Sequence, residues 1–345
     1  MKSLYEISWK VPESEYRSDP AYSYSTLAKF NREGFAKLSS LFDKVSSPSL
    51  TFGSMVDTML TDGEDAFNER FAVVDFPKLT DGLIAVVKRL YTDFPNAVSL
   101  DDIDDSDISR IAVECNYYAG KSYENTRIKN VRRDCPDYFN ALVCSNGREV
   151  VSSQDYDDCV ACVEALRTSP ATEYYFRADG LDNIERQYQL KFKGMYNNIA
   201  IRCMMDLALV DHQNKLIIPC DLKTSSHMEY EFPLSFVQWC YYIQAQLYKE
   251  ILRQNIIKDD YFKDFKIADY RFIVINRTSR NPLVWEYKDT SAIADVTYGK
   301  NGQYNCRNWR QILEELDYYL TNPREVPLGV DPVDMNNITD WLNKK

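Results

Sequence analysis

Three extended stretches in close succession, residues 184–192, 199–211 and 215–223, constrain the fold of this 345-residue chain more than any other feature. The last two are largely apolar, and His212-Gln213-Asn214 between them reads as a hairpin turn. The third runs Leu216-Ile217-Ile218-Pro219-Cys220-Asp221-Leu222-Lys223-Thr224. Successive strand residues point to opposite faces, so Leu216, Ile218, Cys220 and Leu222 share one face and Ile217, Pro219, Asp221 and Lys223 the other. So apolar a strand belongs inside a sheet, yet it ends in an acid and a base on one face. A buried charge needs a partner or a metal.

The preceding stretch carries Asp206 in the same way, and hairpin pairing sets it beside Asp221. Two neighbouring carboxylates repel unless a cation lies between them, and hard oxygen ligands suit Mg²⁺ or Mn²⁺. A divalent ion held there would acidify a water and polarise a phosphoryl oxygen, while Lys223 could orient the water or stabilise developing charge. These are the requirements of phosphodiester hydrolysis. Glu185, in the first stretch, is the best candidate for a further acid. The strand pattern leaves a plain Asp221–Lys223 ion pair, without catalysis, as the alternative.

Ahead of residue 184 the chain reads as helices. Ser25 is placed to cap a segment bearing Leu27, Phe30, Leu38 and Leu41. Pro48 and Ser49 open another with Phe52, Met55, Val56, Met59 and Leu60 on its apolar face, and Gly63 stops it. Further helices are expected near 80–93, 105–119, 123–133 and 153–168. Beyond the third strand come a long helix over 233–253, strands over 270–276 and 283–288, and a helix over 306–321. This order predicts an α/β fold, a central mixed β-sheet flanked by helices. It divides into a mainly helical N-terminal region over 1–180, a sheet core over 181–325 and a polar C-terminal tail over 326–345.

The net charge of −11 argues against a protein that coats nucleic acid by charge alone. It leaves room for an enzyme with acids at a metal site and a basic groove elsewhere. Lys121, Arg127, Lys129, Arg132 and Arg133 form one basic stretch, read either as a solvated helix face or as a DNA-backbone contact. With 11 Gly, long flexible linkers and Gly-rich phosphate loops are not expected. Nine Cys, with Cys159-x-x-Cys162 the one close pair and no second pair at zinc spacing, read as reduced core cysteines. The N-terminus is polar and acidic, unlike a signal peptide, and no apolar run approaches a membrane span. A cytoplasmic location without a membrane partner is the expectation.

The ordered set Glu185, Asp206 and Asp221-Leu222-Lys223 resembles the Glu…Asp…(Asp/Glu)-X-Lys core of PD-(D/E)XK nucleases. Tyr241-Tyr242-Ile243-Gln244-Ala245-Gln246-Leu247-Tyr248 looks like the Gln-X-X-X-Tyr helix of the RecB-like and RecE-like branches, with Gln244 and Tyr248 on one helix face. Tyr24-Ser25-Thr26-Leu27, followed by Thr51-Phe52-Gly53-Ser54-Met55-Val56-Asp57, resembles the opening of phage-type RecE-like (exonuclease VIII-like) exonucleases. There a histidine stands four residues after the glycine; here Asp57 does, either as a harder, charged ligand or as a position that has lost its role. The resemblance covers residues 22–70 and 184–250. It implies a restriction-endonuclease-like sheet and a Mg²⁺-dependent (or Mn²⁺-dependent) exonuclease acting on linear double-stranded DNA ends. It also implies a toroidal homo-oligomer that supplies single strands to an annealing recombinase in phage-type recombination. Metal ligation falls to Asp206, Asp221, Glu185 and Asp57, and catalysis to Asp206, Asp221, Lys223 and Glu185, with Gln244 and Tyr248. Lys191, Lys193, Arg202 and the 121–133 cluster are candidates for a basic DNA-facing surface. His212 and His227 are expected to be peripheral. An endonuclease or structure-specific nuclease on the same fold, a non-catalytic nucleic-acid-binding relative and a structural α/β protein remain alternatives.

Overall fold

The computed structural model describes residues 1–43, 47–177, 183–288, 296–298, 304–323 and 326. An N-terminal strap opens on a short 3-10 turn, Leu4–Ile7, and leads to helices α1 (Glu13–Ser18), α2 (Tyr24–Glu33), α3 (Pro48–Thr61) and α4 (Gly63–Arg70). Strand β1 (Phe71–Val74) precedes α5 (Asp81–Asp93), α6 (Asp105–Glu114), α7 (Glu124–Asp134) and α8 (Pro136–Cys144). Strand β2 (Glu149–Ser152) then pairs with β1 in parallel and leads into α9 (Ser153–Thr168). The long strands β3 (Ile184–Tyr196), β4 (Ile199–Asp211) and β5 (Leu216–Ser225) follow. After them come α10 (Phe232–Gln238), α11 (Tyr241–Ile256), β6 (Lys266–Ile267), β7 (Tyr270–Asn276), β8 (Leu283–Tyr287), β9 (Val296–Tyr298), β10 (Tyr304–Cys306) and α12 (Trp309–Thr321).

The main sheet has the order β3-β4-β5-β7-β8, with β6 beside β5. Neighbours are antiparallel except β5 with β7 and β6, so the sheet is mixed and flanked by helices, as the sequence predicts. Helices α10 and α11 form the crossover that parallel pairing of β5 and β7 requires. One face packs on α2, α11 and α12 through residues such as Phe192, Val210, Ile243 and Trp309. The other packs on α3 and α9 through Leu209, Ile218, Met55 and Cys162. A third apolar cluster lies among α5–α8. Among the described residues no helix is long and apolar enough to cross a membrane. Among the described residues no cysteine forms a disulfide, and burial pushes the Cys159 and Cys162 thiols up to about 12 and about 11.

Several expectations shift. The helix predicted over 233–253 is two helices, because Cys240 adopts a left-handed conformation (φ 57°). Ser23, not Ser25, precedes the first turn of α2. Gly63, at φ 88°, stops α3 and at once begins α4. Helix α8 and the four-residue strands β1 and β2 were not expected; runs as short as Phe71-Ala72-Val73-Val74 show too little of a period-two pattern to be read. The polar tail over 326–345 lies outside the described residues apart from residue 326.

Candidate active site

Two hairpins bring the acids together. The β4–β5 ladder runs from Asp211↔Leu216 to Leu207↔Cys220, which sets Asp206 opposite Asp221. The β3–β4 hairpin turns through Asn197-Asn198, both at positive φ (46° and 66°), as a two-residue turn requires. Its register runs from Tyr196↔Ile199 and skips one pair, Gln189 and Asp206. Gln189 itself is left-handed (φ 50°). Across this break the sheet exchanges faces: Tyr188 and Leu207 point to the α3–α9 side, Leu190 and Met205 to the α11 side. Asp206 stands at that twist.

Asp221 is 2% exposed. Its Oδ1 accepts a hydrogen bond from Gln244 Nε2, and its Oδ2 lies 2.6 Å from Lys223 Nζ. That second contact is a close ion pair, and Oδ2 has no other polar partner among the described residues. Lys223 also sits 4.4 Å from the centre of the Tyr241 ring, a cation–π arrangement. Asp206 Oδ2 accepts from the backbone N–H of Leu222 at 3.0 Å. Helix α3 supplies the third acid. Gly53 lets the helix close on the end of β5: a methyl group there would lie 3.1 Å from Thr224 Oγ1, tighter than ordinary contact. Asp57, one turn on, has Oδ2 bonded to Gln189 Nε2 at 2.8 Å and Oδ1 buried without a hydrogen-bond partner among the described residues.

The electrostatics record this crowding. Burial, then the charges of Asp62 and Asp221, push the Asp57 carboxyl up to about 7, against the pull of Gln189 and Arg70. Burial, then Asp221 and Asp57, hold the Asp206 carboxyl well above the usual range, only partly offset by Lys223 and the Leu222 N–H. Burial works against a charged Lys223, but Asp221, Tyr241 and Asp206 overcome it and raise its pKa. Asp206 and Asp221 therefore share one ammonium group, and Asp57 adds a third carboxyl beside them. Among the described residues no three His, Cys, Asp or Glu side chains lie close enough together, as they stand, to hold a metal ion. The donors still fit a hard divalent cation: all are carboxylate oxygens, and one is orphaned and buried.

Of the residues singled out in sequence, Asp57, Asp206, Asp221, Lys223 and Gln244 converge. Glu185 does not. It pairs with Val210 near the β4–β5 turn, about 13 Å along the strand from Gln189 at ~3.3 Å per residue. There its carboxylate meets Ser3 Oγ and, at 2.7 Å, His212 Nε2. The β3 residue that faces the acids is the neutral Gln189, and the Asn-Asn turn was the signal for it: counting back from Tyr196↔Ile199 places 189 opposite 206. Tyr248 is buried beside the site with its ring 6.3 Å from Tyr270, and among the described residues no hydrogen bond reaches its hydroxyl. His212 stays peripheral, between Glu185 and Tyr261.

Most of the basic candidates are committed elsewhere. Arg127 is buried on the carbonyls of Tyr118 and Gly120, and Arg132 binds Asp105 and the carbonyls of Leu100 and Ile103. Arg133 pairs with Asp134. Lys193 pairs with Asp19, and Arg202 is buried on the carbonyls of Tyr16 and Arg17. Lys191 alone of the β3–β4 group has neither a salt bridge nor a side-chain hydrogen bond among the described residues.

No protein-family profile matches the sequence, and no curated protein matches it. Among solved structures the chain is similar to a crystal structure of a "Putative exonuclease" from Eubacterium rectale, with 13% identity over 96% of this chain and 98% of that one and a TM-score of 0.44. So distant a likeness says nothing about what this chain does.

Proposed function

We propose that the chain is a divalent-metal-dependent nuclease that hydrolyses DNA phosphodiester bonds. The observation that supports this is the gathering of Asp206 and Asp221 beside Lys223 with Asp57 next to them, one buried Asp57 oxygen having no hydrogen-bond partner among the described residues. These three carboxylates would hold Mg²⁺ or Mn²⁺, which when bound lowers the pKa of water and neutralises charge on a phosphoryl oxygen. Gln244 fixes the orientation of Asp221 through Oδ1. Gln189 fixes Asp57. Lys223, held protonated by its acidic neighbours, is placed to stabilise negative charge on the phosphate as it develops.

The finer reading, an exonuclease on linear double-stranded ends that works as a homo-oligomer with an annealing recombinase in phage-type recombination, rests on the motif resemblance. The test is incubation with linear and closed circular duplex DNA, with Mg²⁺, with Mn²⁺ and with chelator, alongside Asp221→Ala. Digestion of the linear form alone, abolished by chelator and by the substitution, is expected. Cutting of circles would indicate an endonuclease. DNA binding without cutting in either metal would leave only the non-catalytic reading.

A further inference from the structure

The N-terminal strap and strand β3 enclose an open pocket of about 330 Å³. Its polar lining comes from Tyr5, Ser8, Trp9, Lys10, Gln189 and Lys191. In a chain with 52 acidic and 41 basic residues, this lining holds two lysines and no carboxylate. The walls are fixed. The Trp9 N–H donates to the Lys191 carbonyl at 2.7 Å, Lys193 lies 3.9 Å from the Trp9 ring centre, and Ser3 and Lys2 tie the start of the strap to Glu185 and Asp259. Lys10 rests beside the Tyr5 ring, 5.1 Å from its centre. Lys191 has no anionic partner among the described residues, whereas Lys193 and Arg202 do have polar partners.

Gln189 both lines this pocket and donates to Asp57. The pocket is therefore separated from the carboxylate site by one side chain. A ligand that reaches both must carry anionic groups at short, regular spacing, as a nucleic-acid strand does at ~3.4 Å of rise per phosphate. The volume is near the lower end, ~300 Å³, of small-ligand pockets, enough for a piece of one strand and too little for a duplex.

We propose that this pocket is a second phosphate subsite, which holds a backbone phosphate of a single nucleic-acid strand next to the one positioned at the carboxylates. Lys191 is its principal contact and Lys10 its second. The proposal rests on the nuclease reading of the Asp57–Asp206–Asp221 site, and its test separates the two. A fluorescent single-stranded oligonucleotide is titrated in chelator, across a range of salt, into wild type, Lys191→Gln, Lys191→Arg and, as a charge control outside the pocket, Lys263→Gln. Lys191→Gln should weaken binding about tenfold, the scale of one charge-assisted contact, and lower the salt slope by about 0.7. Lys191→Arg and Lys263→Gln should bind as wild type does. With metal present, Lys191→Gln should raise KM about tenfold and leave kcat within about twofold. An unchanged Kd and salt slope in Lys191→Gln, or an equal loss in Lys191→Arg, would overturn the subsite. A free mononucleotide that binds as tightly as the oligonucleotide would overturn the assignment to a strand. If the wild type cuts nothing with either metal, the nuclease proposal fails while the binding arms still decide the pocket.

Discussion

Replacing Asp57 with asparagine should stabilise the metal-free protein at alkaline pH and change little at acidic pH. The Asp57 carboxyl sits at about 7 in the folded chain against an ordinary value of 3.8. At about 1.4 kcal/mol per tenfold change in the protonation equilibrium, an ionised Asp57 costs the fold up to about 4 kcal/mol. Below 3.8 both folded and unfolded chains carry the proton, and the carboxyl has no differential effect. Between 3.8 and 7 only the folded chain keeps it, so stability falls as pH rises through that window. Above 7 the full cost is present. Asparagine keeps the shape and an acceptor for Gln189 but carries no charge. Because Asp57 is partly exposed, solvent screens some of the effect, and we expect a gain of about 2–4 kcal/mol at pH 8 that vanishes near pH 4. Urea unfolding in chelator at pH 4.5, 6 and 8 measures it. Added Mg²⁺ should narrow the gap, because an ion bound only by the folded, ionised wild type stabilises it. A difference that is flat with pH, or a variant less stable than wild type at pH 8, would refute the reasoning.

Gln244→Ala removes the donor to Asp221 Oδ1; stability should fall by about 1–3 kcal/mol and cleavage should slow by about 10–100-fold, as for other groups that orient metal ligands, read by denaturant melts and initial rates. Glu185→Gln should leave cleavage within about twofold while costing about 1 kcal/mol through weaker anchoring of Ser3 and His212; a loss as deep as that of Asp221→Ala would return Glu185 to the site. Tyr248→Phe keeps the packing against Tyr270, so its melting should differ by less than about 1 kcal/mol and its initial rates should match wild type; a large rate loss would mean that the hydroxyl acts.

The pairing of Asp206 with Asp221 was legible because a short polar turn between two apolar strands leaves one register that keeps both apolar faces buried. Lys223 followed from alternation alone. Asp57 could be read only by analogy, since nothing in an isolated helix says which strand end it approaches; the requirement for Gly53 beside Thr224 appears only once helix and sheet meet. Glu185 misleads because the order of acids along the chain does not fix a register, whereas counting from the Asn197-Asn198 turn does. The break at Cys240 leaves no trace in sequence, since the residues around it continue an apolar stripe and a left-handed cysteine is not a position the chain advertises. The basic stretch 121–133 stayed open between two readings for a different reason. Composition shows charge, but not whether a guanidinium is spent on carbonyls at the ends of neighbouring helices, as those of Arg127 and Arg132 are.

Gln189 and Asp57 together account for both departures from the nuclease pattern. The pattern asks for an acid on the first strand and a histidine on the N-terminal helix. At the strand position that faces Asp206 this chain has a neutral amide, and on the helix it has a carboxylate; the two side chains are bonded to each other at 2.8 Å. The site keeps three carboxylates, with one contributed from α3 instead of β3. On the proposed reading, a divalent ion would offset the charge that these three carboxylates carry beyond Lys223 when ionised. If this is an exchange and not a loss, the two positions must be coupled. Asp57→Asn should reduce cleavage by at least about 100-fold, as loss of a liganding carboxylate would, and adding Gln189→Glu should recover about tenfold or more of it. Gln189→Glu alone should gain nothing, because it sets a further carboxylate beside Asp57 and Asp206, which already resist ionisation. Rates of the four proteins form a double-mutant cycle. A coupling energy indistinguishable from zero would mean that the acid of α3 has not taken over the role of the missing acid of β3.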